Sequence, residues 1–282
     1  MKLHRRAMMA QLLAAPAVAG AGRAWAAPEP WTFEAFSAAM KASGRRQMIT
    51  AEQWRTTVAR KPRMLATIHT VLSHHFTLAD PGVMRAFTEV PREYYHYHYD
   101  EQADFSTVAY EDESKPWRIG FGSALSDFRG QAYMTQLCRP KPGEKALEIG
   151  TGSGFQVSIL SRIVDKAYSI EIVEPLGKAV APIFKPLGYD NIETRVGDGY
   201  YGWPEVEGGF DIVIVTCVAQ HVPPPLLEQL KPGGRMVIPM GQPFKREQFL
   251  YVFTKDDDGK VSSRKDLGVY FIPMTGAMQA KR

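Results

Sequence analysis

Three glycines alternate with small residues at the end of a short apolar run that contains an acid. The segment is ALEIGTGSGF, residues 146–155, and its glycines are Gly150, Gly152 and Gly154. A glycine-rich turn between a strand and a helix lets a ligand approach the backbone N–H groups at the helix N terminus. The dinucleotide-binding motif Gly-x-Gly-x-x-Gly would require glycine at position 155, where Phe155 stands. The turn therefore predicts a ligand site and disfavours a dinucleotide as its ligand.

Acidic residues stand at the ends of three successive predicted strands. Glu148 lies two residues before Gly150, where a carboxylate repels a pyrophosphate and attracts a cation. Glu171 is placed to accept both hydroxyls of a ribose, and Asp198 is within reach of an adenine amino group. S-adenosylmethionine combines a positive centre, a ribose and an adenine, so we predict that it is the cofactor. The alternative for Glu171 and Asp198 is that they only cap the helices that follow.

The elements that must position these residues alternate between strands and helices after Pro142. Short runs rich in Ile and Val predict strands, and the longer segments between them predict helices. The strands are predicted at residues 145–150, 167–172, 191–198, 210–216 and 235–240, with helices that include 155–164 and 223–231. This alternation predicts an α/β fold with a doubly wound, mostly parallel sheet.

The last two predicted strands follow each other without a helix. They cover residues 248–255 and 260–274 and are separated by the turn Asp-Asp-Asp-Gly. Strands joined by a tight turn pair antiparallel. The sheet is therefore predicted to have seven strands, with an antiparallel C-terminal hairpin at one edge.

The N-terminal part of the chain has a different pattern. Apolar residues three or four apart predict short helices between Trp31 and about Phe87, which we expect to form a helical cap. Residues 90–130 are rich in aromatic and polar residues without a sustained period, which is typical of a functional irregular segment. We therefore divide the chain into an N-terminal helical and substrate-loop region, residues 31–141, and a Rossmann-like domain that binds S-adenosylmethionine, residues 142–282.

The first 26 residues have the layout of a cleavable signal peptide. They combine a basic end, an apolar middle of small residues and an Ala-Trp-Ala site at residues 24–26. We therefore expect export to the periplasm; the alternative is a disordered alanine-rich tail on a cytoplasmic protein. The apolar stretch is interrupted by Gln11 and Pro16, so it is too short and too weakly apolar for a stable membrane span.

The charge balance argues against a nucleic-acid partner. Residues 1–26 hold four of the 34 Lys and Arg side chains and none of the 30 acids, so the rest of the chain carries 30 of each sign. No basic stripe follows the leader. We therefore predict that the protein does not bind nucleic acid.

Two histidines two positions apart, His96 and His98 in the segment HYHY, could ligate a metal ion from an extended strand. They have no partner cysteine and no His-Glu motif nearby. We expect this segment to pack through its aromatic rings, and we predict no metal site.

Several segments between Val83 and Gly276 resemble the protein-L-isoaspartate O-methyltransferase family in order and spacing. They are VPRE, AYED, IGFGSALS, KPGEKALEIGTGSGFQ, YSIE, VGDGYYGWPE, FDIVIVT, VPPPLLEQLKPGGRMVIPMG and VYFIPMTG. The resemblance implies a doubly wound sheet ending in an antiparallel hairpin, with N-terminal helices over the active site. It also implies methyl transfer from S-adenosylmethionine to the α-carboxylate of L-isoaspartyl residues in damaged proteins or peptides, which is a repair reaction. We expect the protein to be a monomer.

The resemblance assigns roles to individual residues. The family's Thr-Ile-Ser motif matches residues 124–126, so Ser126 is the expected catalytic hydroxyl. Asp127 stands where the family has an uncharged residue, and it would repel an anionic substrate unless Arg118 or Arg129 neutralises it. The expected substrate-binding residues are Ser123, Ala124, Leu125, Asp127, Arg129 and His221. The expected cofactor-binding residues are Glu148, Gly150, Thr151, Gly152, Ser153, Gly154, Glu171, Asp198 and Gly199.

The altered serine loop and the export signal leave other functions open. One is an exported, non-catalytic module of the same fold that binds the cofactor or a peptide, and another is a methyltransferase for a different carboxylate. A dinucleotide oxidoreductase is disfavoured because Phe155 occupies its third glycine position.

Overall fold

The structure, a computed structural model, describes residues 31–279, and this part of the chain contains eight α-helices and eleven β-strands. The signal peptide predicted for residues 1–26 lies outside the described residues. The helices are α1 Phe33–Ala42, α2 Ala51–Val58, α3 Lys61–His75, α4 Pro81–Glu89, α5 Phe128–Leu137, α6 Phe155–Ser161, α7 Glu174–Val180 and α8 Pro224–Glu228. The strands are β1 Tyr97–His98, β2 Ala103–Asp104, β3 Trp117–Gly120, β4 Ser123–Leu125, β5 Lys145–Ile149, β6 Lys166–Glu171, β7 Ile192–Val196, β8 Phe210–Val215, β9 Leu230–Gly241, β10 Gln248–Lys255 and β11 Val261–Val269. Short 3₁₀ helices cover Arg92–Tyr95, Ser106–Val108, Ala181–Ile183, Lys185–Leu187, Gly199–Tyr201 and Gly276–Gln279.

Strands β5 to β11 form one seven-stranded sheet in the order β11-β10-β9-β8-β5-β6-β7. The strands from β9 to β7 in this order pair parallel, while β10 is antiparallel to both β9 and β11. The predicted fold class, with its C-terminal hairpin at a sheet edge, is therefore confirmed. Glu148 of β5 pairs with Ser169 of β6 and Ile214 of β8, so the carboxyl ends of these three strands meet at one edge.

Both faces of the central strand β8 are covered, which is why its sequence FDIVIV is a nearly continuous apolar run, whereas the edge strand β7, IETRV, has no buried residue. Along β8, Ile212 and Ile214 face one hydrophobic core, and Val213 and Val215 face the other. The first core contains side chains from helices α1 to α7, and the second contains side chains from α8 and from residues near the C terminus.

Three of the four N-terminal helices begin at residues with capping side chains, and all four pack on the first core. Thr32 accepts a backbone hydrogen bond at the start of α1, Thr50 forms a capping box on α2, and Asp80 caps α4. Phe87 of α4 meets Phe155 of α6 edge to face, with 5.8 Å between the ring centroids. The predicted helical cap is therefore confirmed.

The sequence pattern does not predict helix α5. Its residues are buried except for Arg129 and Gly130. A helix that is buried on nearly all sides has no polar face, so the 3.6-residue period that reveals surface helices is missing. The position of α5 matters because it begins directly after Ser126 and Asp127.

Strand β11 ends earlier than expected, at Val269 rather than near residue 274. The following residues cross to the end of β8, where Val218 N–H donates to the Ile272 carbonyl at 2.8 Å and Met274 N–H donates to the Val218 carbonyl at 2.9 Å. The C-terminal residues thereby reach the carboxyl edge of the sheet.

The region boundary predicted at residue 142 falls in the turn between α5 and β5, and side chains from both sides of it share the first core. Within residues 31–279, none of the helices combines the length and the apolar character needed to cross a membrane.

Candidate active site

A cavity of about 1080 Å³ opens at the carboxyl ends of β5, β6 and β8. Its walls come from the glycine turn after β5, the β3–β4 hairpin, the start of α5 and the C-terminal hairpin with the residues that follow it. The predicted site residues on its lining are Ser123, Ala124, Ser126, Asp127, Arg129, Glu148, Gly150, Thr151, Gly152, Ser153, Glu171, Asp198 and Gly199. The fold thus brings the expected cofactor and substrate residues to one space.

The glycine turn has backbone conformations that other residues disfavour. Gly150, Gly152 and Gly154 have φ values of 98°, 52° and 82°, which glycine adopts without steric cost. A Cβ atom on Gly152 would lie 3.6 Å from Ser123 Oγ and 3.8 Å from the carbonyl oxygen of Ala124. Gly152 therefore faces the gap between the turn and the β3–β4 hairpin.

Glu171 fixes the glycine turn from the end of β6. Its Oε2 accepts a hydrogen bond from Gly152 N–H at 2.8 Å, and its Oε1 accepts one from Val173 N–H at 3.0 Å. Glu171 also lines the cavity. A carboxylate offers about four acceptor sites, so holding the backbone leaves acceptor capacity for the two hydroxyls of a ribose.

Asp198 joins the loop after β7 to the C-terminal residues. It accepts hydrogen bonds from Tyr200 N–H at 2.9 Å and from Ala277 N–H at 2.7 Å. The first bond is the capping contact that the sequence offers as the alternative role of Asp198, while the sequence pattern does not predict the second. The C-terminal residues therefore help to hold the acid that is expected to face the adenine.

Glu148 is buried, with 1% of its surface exposed, and its carboxyl accepts a hydrogen bond from Ser169 Oγ at 2.6 Å. Burial raises the pKa of Glu148 well above its usual value, the Ser169 hydrogen bond opposes this shift, and the charge of Glu171 adds to it. Burial also raises the pKa of Glu171, against backbone hydrogen bonds that lower it. A cationic ligand suits this pair, because a positive charge stabilises both carboxylates.

The affinity for S-adenosylmethionine is expected to rise with pH. The raised pKa keeps Glu148 protonated above 4.5, the ordinary pKa of the group, in the free protein. The sulfonium and ammonium charges of the cofactor favour the carboxylate, so binding releases a proton between pH 4.5 and the raised pKa. Calorimetric titration in two buffers of different ionisation enthalpy measures that proton release. Glu148→Gln is expected to remove most of this proton release and to weaken cofactor binding near the upper end of this pH range.

Stability gives an independent check on Glu148. The unfolded chain loses this proton at a lower pH than the folded one, so the free protein loses stability as the pH rises through the same window. In the Glu148→Gln variant, the melting temperature is expected to fall less than in the unmodified protein as the pH rises through this window. An affinity of the unmodified protein that stays constant or falls as the pH rises would contradict the role assigned to Glu148.

The β3–β4 hairpin carries the expected substrate loop to the cavity. Arg118 of β3 pairs with Ala124 of β4, and the turn between the strands contains Phe121 at φ 51°. Ser123 and Ala124 then lie opposite the glycine turn, and Ser126 follows on the same cavity wall. The serine loop and the expected cofactor site are therefore neighbours.

Asp127 is held by the helix that it starts. Its Oδ1 accepts hydrogen bonds from Gly130 N–H at 2.8 Å and from Ser114 Oγ at 3.1 Å, so Asp127 is the N-cap of α5. Neither Arg118 nor Arg129 forms an ion pair with it in the described part of the chain. The expected neutralising contact is thus replaced by the N terminus of α5 and by a buried cation beneath the loop.

That cation is Arg92, a residue to which the sequence assigned no role. Its side chain is 1% exposed; Nη2 donates to the Ser126 carbonyl and Nη1 to Gln131 Oε1, both at 2.7 Å. Burial lowers the pKa of Arg92 to about 10, and the charge of Asp127 opposes this shift, so Arg92 remains a cation at neutral pH. The segment VPRE contains Arg92 and was the available signal, but a motif does not show which way the side chain points.

Three predicted site residues lie away from the cavity. Leu125 belongs to the first core, because alternate residues of a strand face opposite sides. A Cβ atom on Gly154 would lie 2.8 Å from the Phe184 ring, so this glycine permits close packing between α6 and the neighbouring segment. His221 packs against Tyr200, with 6.0 Å between the ring centroids, and does not line the cavity.

The HYHY segment packs through its rings. His96 is buried, and its ring centroid lies 5.3 Å from that of Phe105 and 6.2 Å from that of Trp117. Burial lowers the pKa of His96 well below its usual value. Across residues 31–279, three or more His, Cys, Asp or Glu side chains never come together in an arrangement that could hold a metal ion.

The sequence from residue 65 to residue 279 matches the family model described as protein-L-isoaspartate(D-aspartate) O-methyltransferase. This match covers more than half of the chain and includes the serine loop, the glycine turn and the C-terminal hairpin. The chain belongs to this family. The isoaspartate methyltransferase region thus begins within α3, upstream of the motifs by which the sequence resembles the family.

Other isoaspartate methyltransferases are similar to this chain in sequence and in fold. The chain is 50% identical over 171 residues to protein-L-isoaspartate O-methyltransferase 1 of Nitrosospira multiformis, covering 61% of this chain and 71% of that one. It is 45% identical over 200 residues to protein-L-isoaspartate O-methyltransferase 2 of Syntrophobacter fumaroxidans, covering 71% and 77%. A solved protein-L-isoaspartate O-methyltransferase superposes with a TM-score of 0.65 at 25% identity, covering 76% of this chain and 67% of that one.

Proposed function

We propose that this protein transfers the methyl group of S-adenosylmethionine to the α-carboxylate of L-isoaspartyl residues in damaged proteins or peptides. One observation carries the assignment: Ser123 and Ala124, next to the catalytic candidate Ser126, lie against Gly152 of the glycine turn in a single cavity. A cofactor on the turn and an acceptor on the serine loop would therefore be in contact.

The residues at the turn fit S-adenosylmethionine. Gly152 leaves open the space that a side chain would fill, and the acids Glu148, Glu171 and Asp198 line the cavity around it. Glu171 and Asp198 would hold the ribose and the adenine, and Glu148 would stabilise the positive charge. When bound, S-adenosylmethionine supplies an electrophilic methyl group on a sulfonium.

The acceptor needs placement more than activation. A free α-carboxylate has a pKa of about 3.5 and is already ionised near neutral pH, so the chain needs no general base. Correct orientation of two reacting groups can account for about 7–11 kcal/mol of a barrier. The Ser126 hydroxyl, on the cavity wall beside the turn, would hold the carboxylate in line with the methyl group.

The charges on the cavity wall agree with an anionic acceptor at this end. Arg129 is the only Lys or Arg on the lining within residues 31–279, and it lies near Ser126 at the start of α5. Asp127 is countered by the N terminus of α5 and by Arg92. Arg129 is therefore available for the substrate carboxylate.

The proposal is tested by methyl transfer to paired peptides. Purified protein and labelled S-adenosylmethionine are incubated with an isoaspartyl peptide or with its ordinary aspartyl counterpart, and base-labile methyl ester is counted. Ester in the isoaspartyl peptide alone supports the proposal. Cofactor binding without ester in either peptide would contradict the proposal and favour a binding module of the same fold or a methyltransferase for a different carboxylate.

In that assay, Ser126→Ala is expected to lower kcat by about a hundredfold, the typical cost of removing a transition-state hydrogen-bond donor. The fold should persist, because Ser126 is half-buried and its hydroxyl has no hydrogen bond within residues 31–279. Ser262→Ala, on the exposed edge strand β11, is the matched control and should keep the normal rate. An unchanged rate for Ser126→Ala would rule out the role given to this hydroxyl.

We further propose that the protein is exported to the periplasm. The basic end, the apolar middle and the Ala-Trp-Ala site of the first 26 residues support this. Fractionation of cells that make the full chain or a chain without residues 2–26 tests it; the same location for both chains would contradict export by this leader.

A further inference from the structure

The cavity extends well beyond the glycine turn and the serine loop. At about 1080 Å³, it exceeds the roughly 300–1,000 Å³ of pockets that enclose a drug-sized ligand. The acids and glycines expected to hold the cofactor all lie at the ends of β5, β6 and β7. Another part of the lining comes from α3, α5 and the β10–β11 hairpin.

This second part, which we call the apolar chamber, is lined by Val71, Tyr133, Met134, Leu250, Leu267 and Val269. The Asp, Glu, Lys and Arg side chains on the cavity lining within residues 31–279 are Asp127, Arg129, Glu148, Glu171 and Asp198, and none of them comes from the elements of the chamber beyond the first turn of α5. The ionisable side chain on the α3 wall is His75, at an exposed position. The chamber is therefore suited to an apolar group and gives no carboxylate to pair with a cationic one.

The walls of the chamber are fixed by contacts on both sides. Tyr133 packs against His75 and Phe76, with ring centroids 5.2 and 5.1 Å away, and its hydroxyl donates to Asp266 of β11. Met134 is 3% exposed and belongs to the first core. Helix α5 and the hairpin are thus joined across the chamber, so its shape is largely formed before a ligand arrives.

The chamber is continuous with the site of methyl transfer. Helix α5 starts two residues after Ser126, and at a rise of about 1.5 Å per residue Met134 lies roughly 10 Å along it. An extended peptide advances about 3.3 Å per residue. A side chain within about three residues of the isoaspartyl group can therefore reach the chamber while the carboxylate stays at Ser126.

We propose that the apolar chamber binds an apolar side chain of the substrate within three residues of the isoaspartyl group, and so makes the enzyme selective for isoaspartate in apolar sequence contexts. This rests on the proposed function. Continuity with the serine loop identifies the occupant as the substrate chain, and the mostly apolar lining identifies its chemistry as aliphatic or aromatic.

The test uses isoaspartyl peptides in which one flanking position at a time carries Leu, Gly or Lys. Leu at a favoured position within three residues is expected to raise kcat/KM about tenfold over Gly, mainly through KM, as burial of an aliphatic side chain allows. Lys at that position is expected to be no better than Gly.

Val71→Glu places a charge on the half-buried α3 wall of the chamber. This variant is expected to lose the preference for Leu and to gain rate on the Lys peptide, a reversal that a merely damaged fold would not produce. Thr70→Glu adds the same charge one residue away, at an exposed position off the cavity lining, and should keep the preference for Leu.

The outcomes separate the two proposals. Equal kcat/KM for Leu, Gly and Lys at every position, with all peptides methylated, would overturn the proposal for the apolar chamber and leave the proposed function intact. A preference that Val71→Glu leaves intact would also overturn it. Absence of methyl ester in every isoaspartyl peptide, with the cofactor bound, would overturn the proposed function and the chamber with it.

Discussion

Arg92→Met is expected to lower kcat for methyl transfer by roughly a hundredfold, the order of loss that a displacement of about 1 Å in a reacting group causes. Arg92 is not itself one of the residues that line the cavity. It acts through the Ser126 carbonyl, which accepts its Nη2 hydrogen bond at 2.7 Å, and through its charge opposite Asp127. Arg92 is therefore a positioning residue: without it the serine loop can shift, and the anionic acceptor meets an uncompensated carboxylate.

The expected signature of Arg92→Met is a fall in kcat with little change in cofactor affinity. Loss of the side chain also leaves Gln131 Oε1 without its donor, and a buried polar group left unsatisfied costs about 1–3 kcal/mol. The melting temperature should therefore fall as well, and it must be measured beside the rate. Arg92→Lys keeps the charge and one possible hydrogen bond, so it is expected to recover part of the activity.

Arg45→Met is the matched control for this experiment. Arg45 is also buried, at 5% exposure, and donates to the Tyr94 carbonyl at 2.6 Å in the N-terminal cap. Its loss should lower stability without selectively lowering kcat. Equal losses of kcat in Arg45→Met and Arg92→Met, or a normal rate in Arg92→Met, would refute the positioning role.

Gly152→Ala is expected to weaken cofactor binding at least about tenfold, which corresponds to about 1.4 kcal/mol. The added methyl group fits within the protein, since it would lie 3.6 Å from Ser123 Oγ and 3.8 Å from the Ala124 carbonyl oxygen. It would nevertheless occupy the gap between the turn and the serine loop, where the cofactor is expected. Calorimetric titration with S-adenosylhomocysteine measures the affinity without turnover.

Backbone strain must be separated from this loss of space. Gly152 has φ 52°, and alanine in the left-handed region costs about 1–2 kcal/mol. Gly143, in the turn before β5, has φ 87° and nothing within 4 Å of a Cβ atom, so Gly143→Ala carries similar strain away from the cavity. Both variants should lose stability, but only Gly152→Ala should lose cofactor affinity. Normal affinity in Gly152→Ala would argue that the cofactor does not occupy this gap.

The local sequence contained much of the fold and of the expected cofactor site. The short runs rich in Ile, Val and aromatic residues predicted all seven strands of the main sheet. Such a local pattern depends little on distant residues. The sequence pattern alone predicts that Glu148, Glu171 and Asp198 lie together, because the carboxyl ends of neighbouring parallel strands meet at one edge. The family resemblance added Ser126, which no local pattern would have distinguished from an ordinary turn serine.

The tertiary structure decided which of these residues face the cavity and what holds them there. Arg92 forms a hydrogen bond with Ser126, 34 residues away in sequence, and Tyr133 forms one with Asp266, 133 residues away. Helix α5 showed no period because it is buried on nearly all sides, and Gly154 was expected at the cofactor but packs against Phe184. Strand patterns and turn residues express short-range preferences of the backbone, whereas the direction of a buried side chain depends on which distant segment packs against it. The sequence alone therefore determined the sheet, its glycine turn and its row of acids, and only long-range packing determined the support beneath the serine loop and the apolar chamber beside it.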